Sequence, residues 1–529
     1  MIALLTASRQ RVLGVLGRMS MYRLTLWMLL SLLMVALIWS VLGVLSPTPL
    51  ELLATTGVLV TAVMLVDAGA QLLLKVPRRV ESSLITALIL VFVIPPGTNP
   101  DQLGAAALAG VVAAASKYVL AWRGRHVFNP AAVAATVLTL SGLGFSAWWV
   151  GTPALAIPVF VFGLVVLWRT ERVRVVVLFV VVAVVVAMVR SGVQGAAAGL
   201  PADPWADLTL ALVQSPVLFL GAFMLAEPLT LPPRRWQQFL VAGTVGVLVG
   251  WPIALGPITL GQERALLVGN LLAFLLARRG GLRLALEGRR DVTPTVRELT
   301  FRLRRPAQFA PGQYLELQVP HRHPDDRGTR REFSIVSAPE ELPHLRIAYR
   351  EATGAKSGET GQEAARHRPE SSYKRALAAV QVGDVLSATG IWGDFTLPRG
   401  SSPLLLVAAG IGVTPFVSQL GHLARTGAAA RRDVVVVLVA SSRAETAYLD
   451  EIAAAGVPGV VVTPDEPGGV PDGWRWAGGG RLDAETLAEL VPDLSSRHAL
   501  VSGPPRLIAD LAPALRRCRR VTTDAFAGY

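Results

Sequence analysis

Two short segments in the second half of the chain carry residue types suited to redox cofactors. Residues 331–334 read Arg-Glu-Phe-Ser, and residues 410–415 read Gly-Ile-Gly-Val-Thr-Pro. In the first segment, an arginine can pair with a diphosphate, an aromatic ring can stack on a flavin, and a hydroxyl can reach a flavin nitrogen. The second is a glycine turn after an apolar strand, which suits the pyrophosphate of a nicotinamide cofactor. Together they predict hydride transfer between a nicotinamide and a flavin.

The composition indicates that these cofactor motifs are joined to a strongly apolar part of the chain. The chain has 529 residues, too many for one domain, and 52% of them are hydrophobic. The net charge is +13, but its excess lies in the apolar first half, so a nucleic-acid-binding patch on the soluble half is excluded. The single cysteine, Cys518, rules out disulfides and a cysteine-ligated iron–sulfur cluster within this chain, and no metal site is predicted.

Ten apolar segments precede residue 278, and most approach the roughly 20 residues that cross a bilayer. We interpret them as membrane spans near residues 24–45, 52–73, 83–95, 103–121, 129–146, 151–168, 173–190, 208–226, 237–254 and 263–277. Arginine and lysine collect before the first span and after each even-numbered one, with Arg190 and Arg264 as exceptions. The positive-inside rule then predicts a multi-pass plasma-membrane protein with both termini and the soluble half in the cytoplasm.

The third and eighth spans are short and each ends near a double proline, at Pro95-Pro96 and at Pro232-Pro233. Their positions fit an inverted 5+5 repeat, in which such broken segments point to a site near the membrane midplane. The alternative is a pair of re-entrant hairpins with only a packing role. Asp67, Lys117 and Glu227 are charged residues in or beside spans, and they indicate either an ion or proton path or paired structural groups.

These features resemble the integral-membrane flavoprotein subunits of Rnf- and Nqr-type electron-transport complexes. The resemblance covers about residues 50–280 and rests on residues 82–88, the prolines above, Lys117, residues 128–132 and residues 226–233. It implies ten spans in an inverted repeat and a second flavin, FMN or riboflavin, in the membrane half. Lys117, Asn129 and Thr230 are the cofactor-binding residues that it implies.

One departure concerns covalent attachment of FMN, which that family makes to a threonine in a Ser-Gly-Ala-Thr type motif. The nearest match here is Thr152, within residues 148–153, and it lacks the serine and the preceding aspartate. Thr152 is therefore one candidate for the attachment. A non-covalent flavin between the two broken segments is the other.

The pattern changes after residue 281. Short strands separated by turns predict an antiparallel β-barrel for FAD over residues 282–400. The predicted strands are residues 282–286, 295–303, 314–319, 333–337 and 345–349. Strands that alternate with helices predict a doubly wound α/β domain for the nicotinamide nucleotide over residues 401–529. Its predicted strands are residues 404–408, 434–440, 459–463 and 499–501, and its predicted helices are residues 415–425 and 445–455. The predicted architecture is thus a helical membrane domain, residues 1–281, fused to these two soluble domains.

The soluble half closely resembles the ferredoxin–NADP reductase superfamily. The flavin motif is carried by Arg331, Phe333 and Ser334, with phenylalanine where tyrosine is more usual. A segment that binds the FAD diphosphate at a helix N-terminus is matched by Ser371, Ser372 and Lys374. The nicotinamide turn is matched by Gly410, Gly412, Thr414 and Pro415.

Three further positions follow from the same resemblance. Ser502, Gly503 and Pro504 match the Cys-Gly-Pro position beside the nicotinamide, with serine replacing cysteine. Phe526 or Tyr529, at the C-terminus, is expected to cover the flavin and to move for the nicotinamide; a packed tail is the alternative. Ser442 and Arg443 stand where an acidic residue would favour NADH, so NADPH is weakly preferred over NADH.

We therefore expect an NAD(P)H:acceptor flavin oxidoreductase in which Ser334, Ser502 and Tyr529 surround the reacting rings. Single electrons would continue through the membrane flavin to a quinone or to an extracytoplasmic FMN-binding protein. Bis-histidine haem is excluded, because only His126 of the seven histidines lies in the membrane half. Redox-coupled Na⁺ or H⁺ translocation, a membrane-anchored reductase without a membrane cofactor, and a transporter or sensor that only reads the nicotinamide pool remain as alternatives.

Overall fold

The computed structural model describes residues 21–74, 80–122, 125–256, 258–277, 281–322, 324–325, 328–351, 371–466, 468–478 and 481–525. The chain divides into two compact units, Met1–Arg278 and Arg279–Tyr529. The division falls three residues before the predicted boundary at residue 281.

The first unit is helical, and each of the ten predicted spans lies on a helix. In chain order the helices are α1 (Met21–Val41), α2 (Pro49–Leu73), α3 (Val80–Val93), α4 (Pro100–Val119), α5 (Pro130–Ser141), α6 (Pro153–Arg169), α7 (Val173–Ala197), α8 (Pro204–Leu212), α9 (Val217–Phe219, continued by a π-helix over Leu220–Leu225), α10 (Arg235–Gly250) and α11 (Gln262–Leu276). Two short hairpins join them, β1 (Ala121–Trp122) with β2 (Arg125–His126) and β3 (Ala254–Leu255) with β4 (Ile258–Thr259).

Only some of these helices are long enough to cross a membrane by themselves. Within the described residues, α1, α2, α4 and α7 pass a test of length and apolar composition, and α8 with α9 forms a fifth candidate bent by 46°. The third span is shortened because α3 ends at Val93, just before Pro95-Pro96, and proline cannot donate the next helical hydrogen bond. The ten-span count stays a prediction.

Helix α7 carries an exposed apolar face. One of its faces carries valines four residues apart, each more than half exposed: Val177, Val181, Val185, Val189 and Val193. An exposed apolar stripe of this kind would suit contact with lipid.

The second unit begins with a six-stranded antiparallel sheet. Its strands are β5 (Leu282–Asp291), β6 (Val296–Leu303), β7 (Tyr314–Gln318), β8 (Arg330–Ser334), β9 (His344–Arg350) and β10 (Val385–Trp392), in the spatial order β8-β7-β10-β5-β6-β9. The edge strands β8 and β9 approach each other at one isolated bridge, Ile335 to Ile347. Full closure into a barrel remains a prediction. Strand β8 begins at Arg330, three residues before the predicted start at Phe333, so the whole flavin motif is in the strand.

Helix α12 (Ser372–Ala379) packs on this sheet through Tyr373 and Leu377, and a parallel six-stranded sheet follows. Its elements are β11 (Leu404–Ala409), α13 (Thr414–Arg425), β12 (Val434–Val439), α14 (Leu449–Ala453), β13 (Gly459–Val462), β14 (Trp474–Ala477), α15 (Ala484–Leu490), β15 (His498–Gly503), α16 (Pro505–Leu515) and β16 (Arg520–Ala525). The spatial order β14-β13-β12-β11-β15-β16 reverses direction beside β11. In open parallel sheets ligands bind at such a reversal, at the carboxyl ends of the strands.

The helix predicted over residues 445–455 is shorter in the structure. A 3₁₀ turn over Arg443–Glu445 precedes it, and α14 begins only at Leu449. The cause is Tyr448, which has a left-handed backbone with φ of +61° and therefore interrupts the helix.

Candidate functional site

Four groups converge at the start of β8 and the start of α12 to form a polar cluster. The Arg331 guanidinium donates to Asp325 Oδ1 at 2.9 Å, and the Ser371 hydroxyl donates to Asp325 Oδ2 at 3.1 Å. The backbone N–H of Asp325 donates to Ser372 Oγ at 2.8 Å. A carboxylate thus occupies the position at which an arginine fork, a hydroxyl and a helix start would bind a phosphate. Arg331, Ser371 and Ser372 fit a flavin diphosphate on this observation.

Tyr373 organises the same cluster and was not among the predicted site residues. Its ring stacks against Phe333, with centroids 6.0 Å apart, and Arg331 lies over its face at 4.9 Å. Its hydroxyl donates to the carbonyl of Leu317 at 3.0 Å, and burial raises the pKa of Tyr373 above its ordinary value. The phenol therefore stays neutral and holds Arg331 and Phe333 in place. Its position between two serines and Lys374 was the available signal in the sequence.

The remaining predicted flavin residues lie close by. Ser334 is buried at the end of β8, opposite Tyr314 in β7. Lys374 is in the first turn of α12 and is partly exposed. Phe526 and Tyr529 lie outside the described residues, so the expected aromatic cover of the flavin stays a prediction.

The nicotinamide turn lies between β11 and α13, where the parallel sheet reverses direction. Gly410 has φ of +54°, a conformation that favours glycine, and Gly412 approaches the end of β15 closely. A Cβ on Gly412 would lie 2.5 Å from the carbonyl oxygen of Ser502. The structure thereby brings the turn and Ser502 together, as expected for two parts of one nucleotide site.

Side chains around the turn are engaged to different degrees. The Thr414 hydroxyl donates to the carbonyl of Ile411 at 2.9 Å, so it stabilises the turn itself. Pro415 is buried in the first turn of α13, and Pro504 is exposed beside α16. The Ser502 hydroxyl is buried and has no hydrogen-bond partner among the described residues. An unsatisfied buried hydroxyl at this point is available to a bound nicotinamide amide.

Arg350 reaches the same turn from the first sheet. Its guanidinium lies 3.1 Å from the position of a Cβ on Gly410, and it pairs with Glu445 only at 3.7 Å. Glu445 is bound more closely by the hydroxyls of Thr293 and Thr295, at 3.1 and 2.5 Å. Sequence reasoning missed Arg350, because nothing in the local pattern relates the end of β9 to the glycine turn.

The residues predicted to set nucleotide preference lie on one loop. Ser442 and Arg443 begin the 3₁₀ turn after β12, and Arg443 is exposed. Its Nη1 lies 2.6 Å from the position of a Cβ on Gly468, so the neighbouring loop leaves room for this guanidinium.

A buried charge cluster joins the two sheets of the second unit. Arg346 of β9 donates to Glu298 of β6 at 3.1 Å and to Glu451 of α14 at 2.5 Å. The Tyr448 hydroxyl donates to Glu298 Oε2 at 2.9 Å. Burial acts to raise the pKa of Glu451, but the hydrogen bond and charge of Arg346 outweigh it and hold that pKa below its ordinary value. The cluster fixes the nucleotide sheet against the flavin sheet.

In the first unit, a cavity of about 70 Å³ lies between the two broken segments. It is lined mostly by apolar side chains, with a few polar groups, from α1, α3, α4, α5, α6 and the π-helix. The residues are Met21, Tyr22, Thr25, Ser82, Ile85, Thr86, Ile89, Lys117, His126, Asn129, Pro130, Ala131, Val166, Thr170, Ala222, Phe223, Ala226, Glu227 and Pro228.

One ion pair and one histidine–carboxylate contact reach this cavity. Lys117 Nζ donates to Asp67 Oδ2 at 2.9 Å, and the Ser83 hydroxyl donates to the same oxygen at 2.5 Å. His126 Nε2 lies 2.8 Å from Glu227 Oε1, and Asn129 Nδ2 donates to Glu227 Oε2 at 3.0 Å. The charged residues singled out in the sequence thus have partners, and His126 joins them.

The predicted membrane-cofactor residues separate into two groups. Lys117 and Asn129 line the cavity, whereas Thr230 and Thr152 do not. Thr230 is buried and donates to the carbonyl of Glu227 at 3.3 Å, and the Thr152 hydroxyl is buried at the start of α6 without a partner among the described residues.

The cavity lies close to one end of the helices, whereas the sequence predicted a site near the membrane midplane. Pro95 and Pro96 do not line it; instead it is bounded by the first turns of α1 and α3 and the last turn of α4. The positive-inside prediction from the loop charges would put all of these helix ends on the cytoplasmic side. Towards the other face, Phe92 of α3 contacts Phe219 and Trp149, with ring centroids 5.4 and 5.3 Å apart, so aromatic packing separates the double proline from the cavity. Within the described part of the chain, no group of three or more metal-binding side chains occurs.

Comparison with known proteins matches residues 406–512 to the family described as the oxidoreductase NAD-binding domain. Ferredoxin–NADP reductase B of Sorangium cellulosum is 32% identical over 168 residues, which are 31% of this chain and 60% of that protein. The reductase subunit of an aromatic O-demethylase from Amycolatopsis sp. is 29% identical over 240 residues, 43% of this chain and 63% of that protein. The chain spans less than two thirds of the length of each of these curated relatives.

A solved structure is also similar to the second unit. It is the FAD/NAD-binding domain of a nitric oxide dioxygenase from Vibrio cholerae, at 21% identity and a TM-score of 0.37, over 47% of this chain and 99% of that one. The matches reported bear on the soluble half, and the resemblance of the membrane half to Rnf and Nqr subunits stays a prediction.

Proposed function

We propose a membrane electron-transfer function for this chain, whose C-terminal half is a ferredoxin–NADP reductase-like, NAD(P)H-dependent FAD oxidoreductase unit. NAD(P)H is oxidised in the cytoplasm, and the electrons pass to an acceptor bound by the membrane half. The observation that carries this proposal is the convergence of Arg331 and Ser371 on the Asp325 carboxylate beside the Phe333–Tyr373 ring pair. Ser372 accepts from the backbone N–H of the same Asp325.

Bound FAD would supply the ability to take a hydride from NAD(P)H and to release electrons one at a time. Arg331 and the serines of α12 would hold its diphosphate in place of the Asp325 carboxylate. Phe333 and Ser334 would position its ring. These residues bind and orient the cofactor.

The parallel sheet would bind the nicotinamide nucleotide. The turn from Gly410 to Pro415 would bind its diphosphate, Arg350 would add a charge from β9, and Ser502 would meet the carboxamide. Ser442 and Arg443 favour a 2′-phosphate, hence NADPH over NADH, because neither is an acidic acceptor for ribose hydroxyls.

The membrane assignment is supported by the four apolar helices, the exposed valine stripe of α7 and the basic loops. We propose a multi-pass plasma-membrane protein with a cytoplasmic reductase. The cavity between the broken segments is the proposed seat of the next electron carrier, either a second flavin or a quinone. An extracytoplasmic FMN-binding protein is a further acceptor that the Rnf/Nqr resemblance suggests.

The test is a cofactor analysis of the purified full chain in detergent, with acid precipitation to separate covalent from released flavin. FAD together with a second flavin supports a membrane flavin, and acid-stable flavin lost in T152A assigns its attachment. FAD alone reduces the membrane half to a quinone site or an anchor. R331A should lose FAD, and unchanged FAD content in R331A would refute the flavin site.

Redox-coupled Na⁺ or H⁺ translocation is a second candidate, favoured by one observation. Asp67 Oδ1 is buried in the first unit with no hydrogen-bond partner among the described residues, while Oδ2 binds both Lys117 and Ser83. In proteoliposomes that oxidise NAD(P)H, translocation would appear as ion uptake that D67N abolishes. No uptake by the wild-type protein would exclude it.

A further inference from the structure

The membrane cavity has the size of a single ring. In cavities measured in this way a water needs about 10–15 Å³, so 70 Å³ holds on the order of five waters. That space is close to one six-membered ring with its two oxygens. It is too small for the three fused rings of a flavin unless the helices move apart.

The charges of the cavity also select against a phosphate-bearing ligand. Among the described residues that line the cavity, the ammonium group is that of Lys117, and it is already paired with Asp67 at 2.9 Å. Glu227 adds a second carboxylate, so the charged side chains described around the cavity provide no excess positive charge. The apolar walls, including Ile85, Ile89 and Phe223, suit a neutral flat ring.

We infer that this cavity binds the head of a quinone and that the His126–Glu227 pair is its proton donor. The inference rests on the proposed function, because it names the acceptor that the reductase serves. Both residues line the cavity, and their side chains are 10% and 23% exposed. A quinone that receives electrons must also receive protons, whereas a metal centre or a one-electron carrier need not.

The geometry around Glu227 suits this role. One carboxylate oxygen faces His126 Nε2 at 2.8 Å, and the other accepts from Asn129 Nδ2 at 3.0 Å. The carboxylate is thereby fixed in orientation and holds the His126 ring through its Nε2 atom. A protonated imidazole carries an N–H on both ring nitrogens, so His126 can keep its bond to Glu227 and present the second N–H to a quinone oxygen.

The reaction balances without an additional reductant. The C–H bond of the nicotinamide breaks, NAD(P)H loses two electrons and one proton, and NAD(P)⁺ is released. The quinone gains those two electrons and two protons, forming two O–H bonds, with one net proton taken from solution. His126 donates a proton to the quinone and is then reprotonated from the cytoplasm. It can be reached from there because it directly follows the basic loop after α4.

Other polar groups share the cavity lining with His126 and Glu227. Lys117 with Asp67 lies across the cavity lining, Tyr22 enters from α1, and Asn129 binds the carboxylate. Thr139 of α5 lies outside the cavity lining, and its hydroxyl donates to the carbonyl of Ala135 within its own helix, at 2.8 Å. Thr139 is therefore a suitable control position, because it is not part of the proposed quinone site.

The experiment uses the full chain in detergent, with NADPH as donor and two acceptors. A short-chain benzoquinone takes electrons and protons, whereas ferricyanide takes electrons only. In H126Q we expect kcat for the benzoquinone to fall by about 10²- to 10⁴-fold, the usual contribution of a positioned acid. Its KM for the quinone, its FAD content and its ferricyanide rate should match those of T139V and the wild type.

The outcomes separate the inference from the proposed function. Equal quinone kcat in H126Q and T139V would overturn the proton-donor role while the reductase stands. A wild-type protein with FAD and ferricyanide activity but no quinone reduction would overturn the quinone assignment. A wild-type protein without FAD would overturn the proposed function itself. A raised KM in H126Q with kcat unchanged would assign His126 to packing and would also overturn the proton-donor role.

Discussion

The close approach of Gly412 to β15 predicts the effect of adding a single methyl group. In G412A the new Cβ would lie 2.5 Å from the Ser502 carbonyl oxygen and 2.7 Å from its carbonyl carbon, both backbone atoms. Contacts below 3.0 Å are not tolerated by a Cβ, so the turn or the strand end must retreat by about half an ångström. Neither side of the contact is the movable end of a flexible side chain.

The size of the effect follows from the cost of such overpacking, about 1–3 kcal/mol. If the turn retreats, its N–H groups no longer match the nucleotide diphosphate, and about 1.4 kcal/mol corresponds to a tenfold weaker Kd. We expect NADP⁺ to bind about tenfold to a hundredfold more weakly to G412A, measured by difference absorbance of the flavin. FAD content should be unchanged, because Gly412 is not part of the flavin site.

The matched control is G288A in β5. A Cβ there meets nothing closer than Thr300 Cβ at 4.0 Å, and the φ angle is not in the left-handed region. G288A should therefore bind NADP⁺ as the wild type does. The reasoning is refuted if G412A keeps wild-type NADP⁺ affinity, or if G288A loses as much.

Three further outcomes follow from the site. R331K keeps the positive charge but loses the planar guanidinium that donates to Asp325 and would bind a diphosphate. R331K should therefore lose FAD on desalting, measured by visible absorbance, and full retention of FAD contradicts the assignment. E451Q should have a lower free energy of unfolding than the wild type at neutral pH. This difference in free energy should vanish as pH falls below 4.5 through the lowered pKa of Glu451. Urea unfolding that gives the same difference at every pH would refute the reasoning. R443A should raise KM for NADPH about tenfold and leave KM for NADH unchanged, whereas equal effects would remove its role at the 2′-phosphate.

The sequence predicted best those parts whose signal is local. The run of apolar residues in β11 followed by Gly410 and Gly412 predicted strand, turn and helix together, and the family match over residues 406–512 supports it. All ten apolar segments proved helical, because apolar composition and proline positions determine helix ends directly. Tyr448 shows the limit of this approach, since a left-handed residue held by a hydrogen bond to Glu298 shortened a helix that the pattern extended.

Contacts between distant segments could not be predicted. Asp325 lies in a charged stretch without periodicity, and only the fold brings it to Arg331 and Ser371. His126 stood at a loop edge and was considered only as a haem ligand, whereas its partner Glu227 is 101 residues away. The strands β10, β14 and β16 were missed because their sequences mix polar residues and glycine with few apolar runs, and their neighbours in the sheets decide their conformation.

The Asp325 carboxylate has a consequence for how the protein matures. Since this carboxylate binds Arg331 and Ser371 itself, the Arg331 guanidinium has an anionic partner before the cofactor arrives. Folding can then finish first, and flavin would enter afterwards by exchanging one anion for another. The supply of flavin would govern how much of the protein is active rather than how much is made.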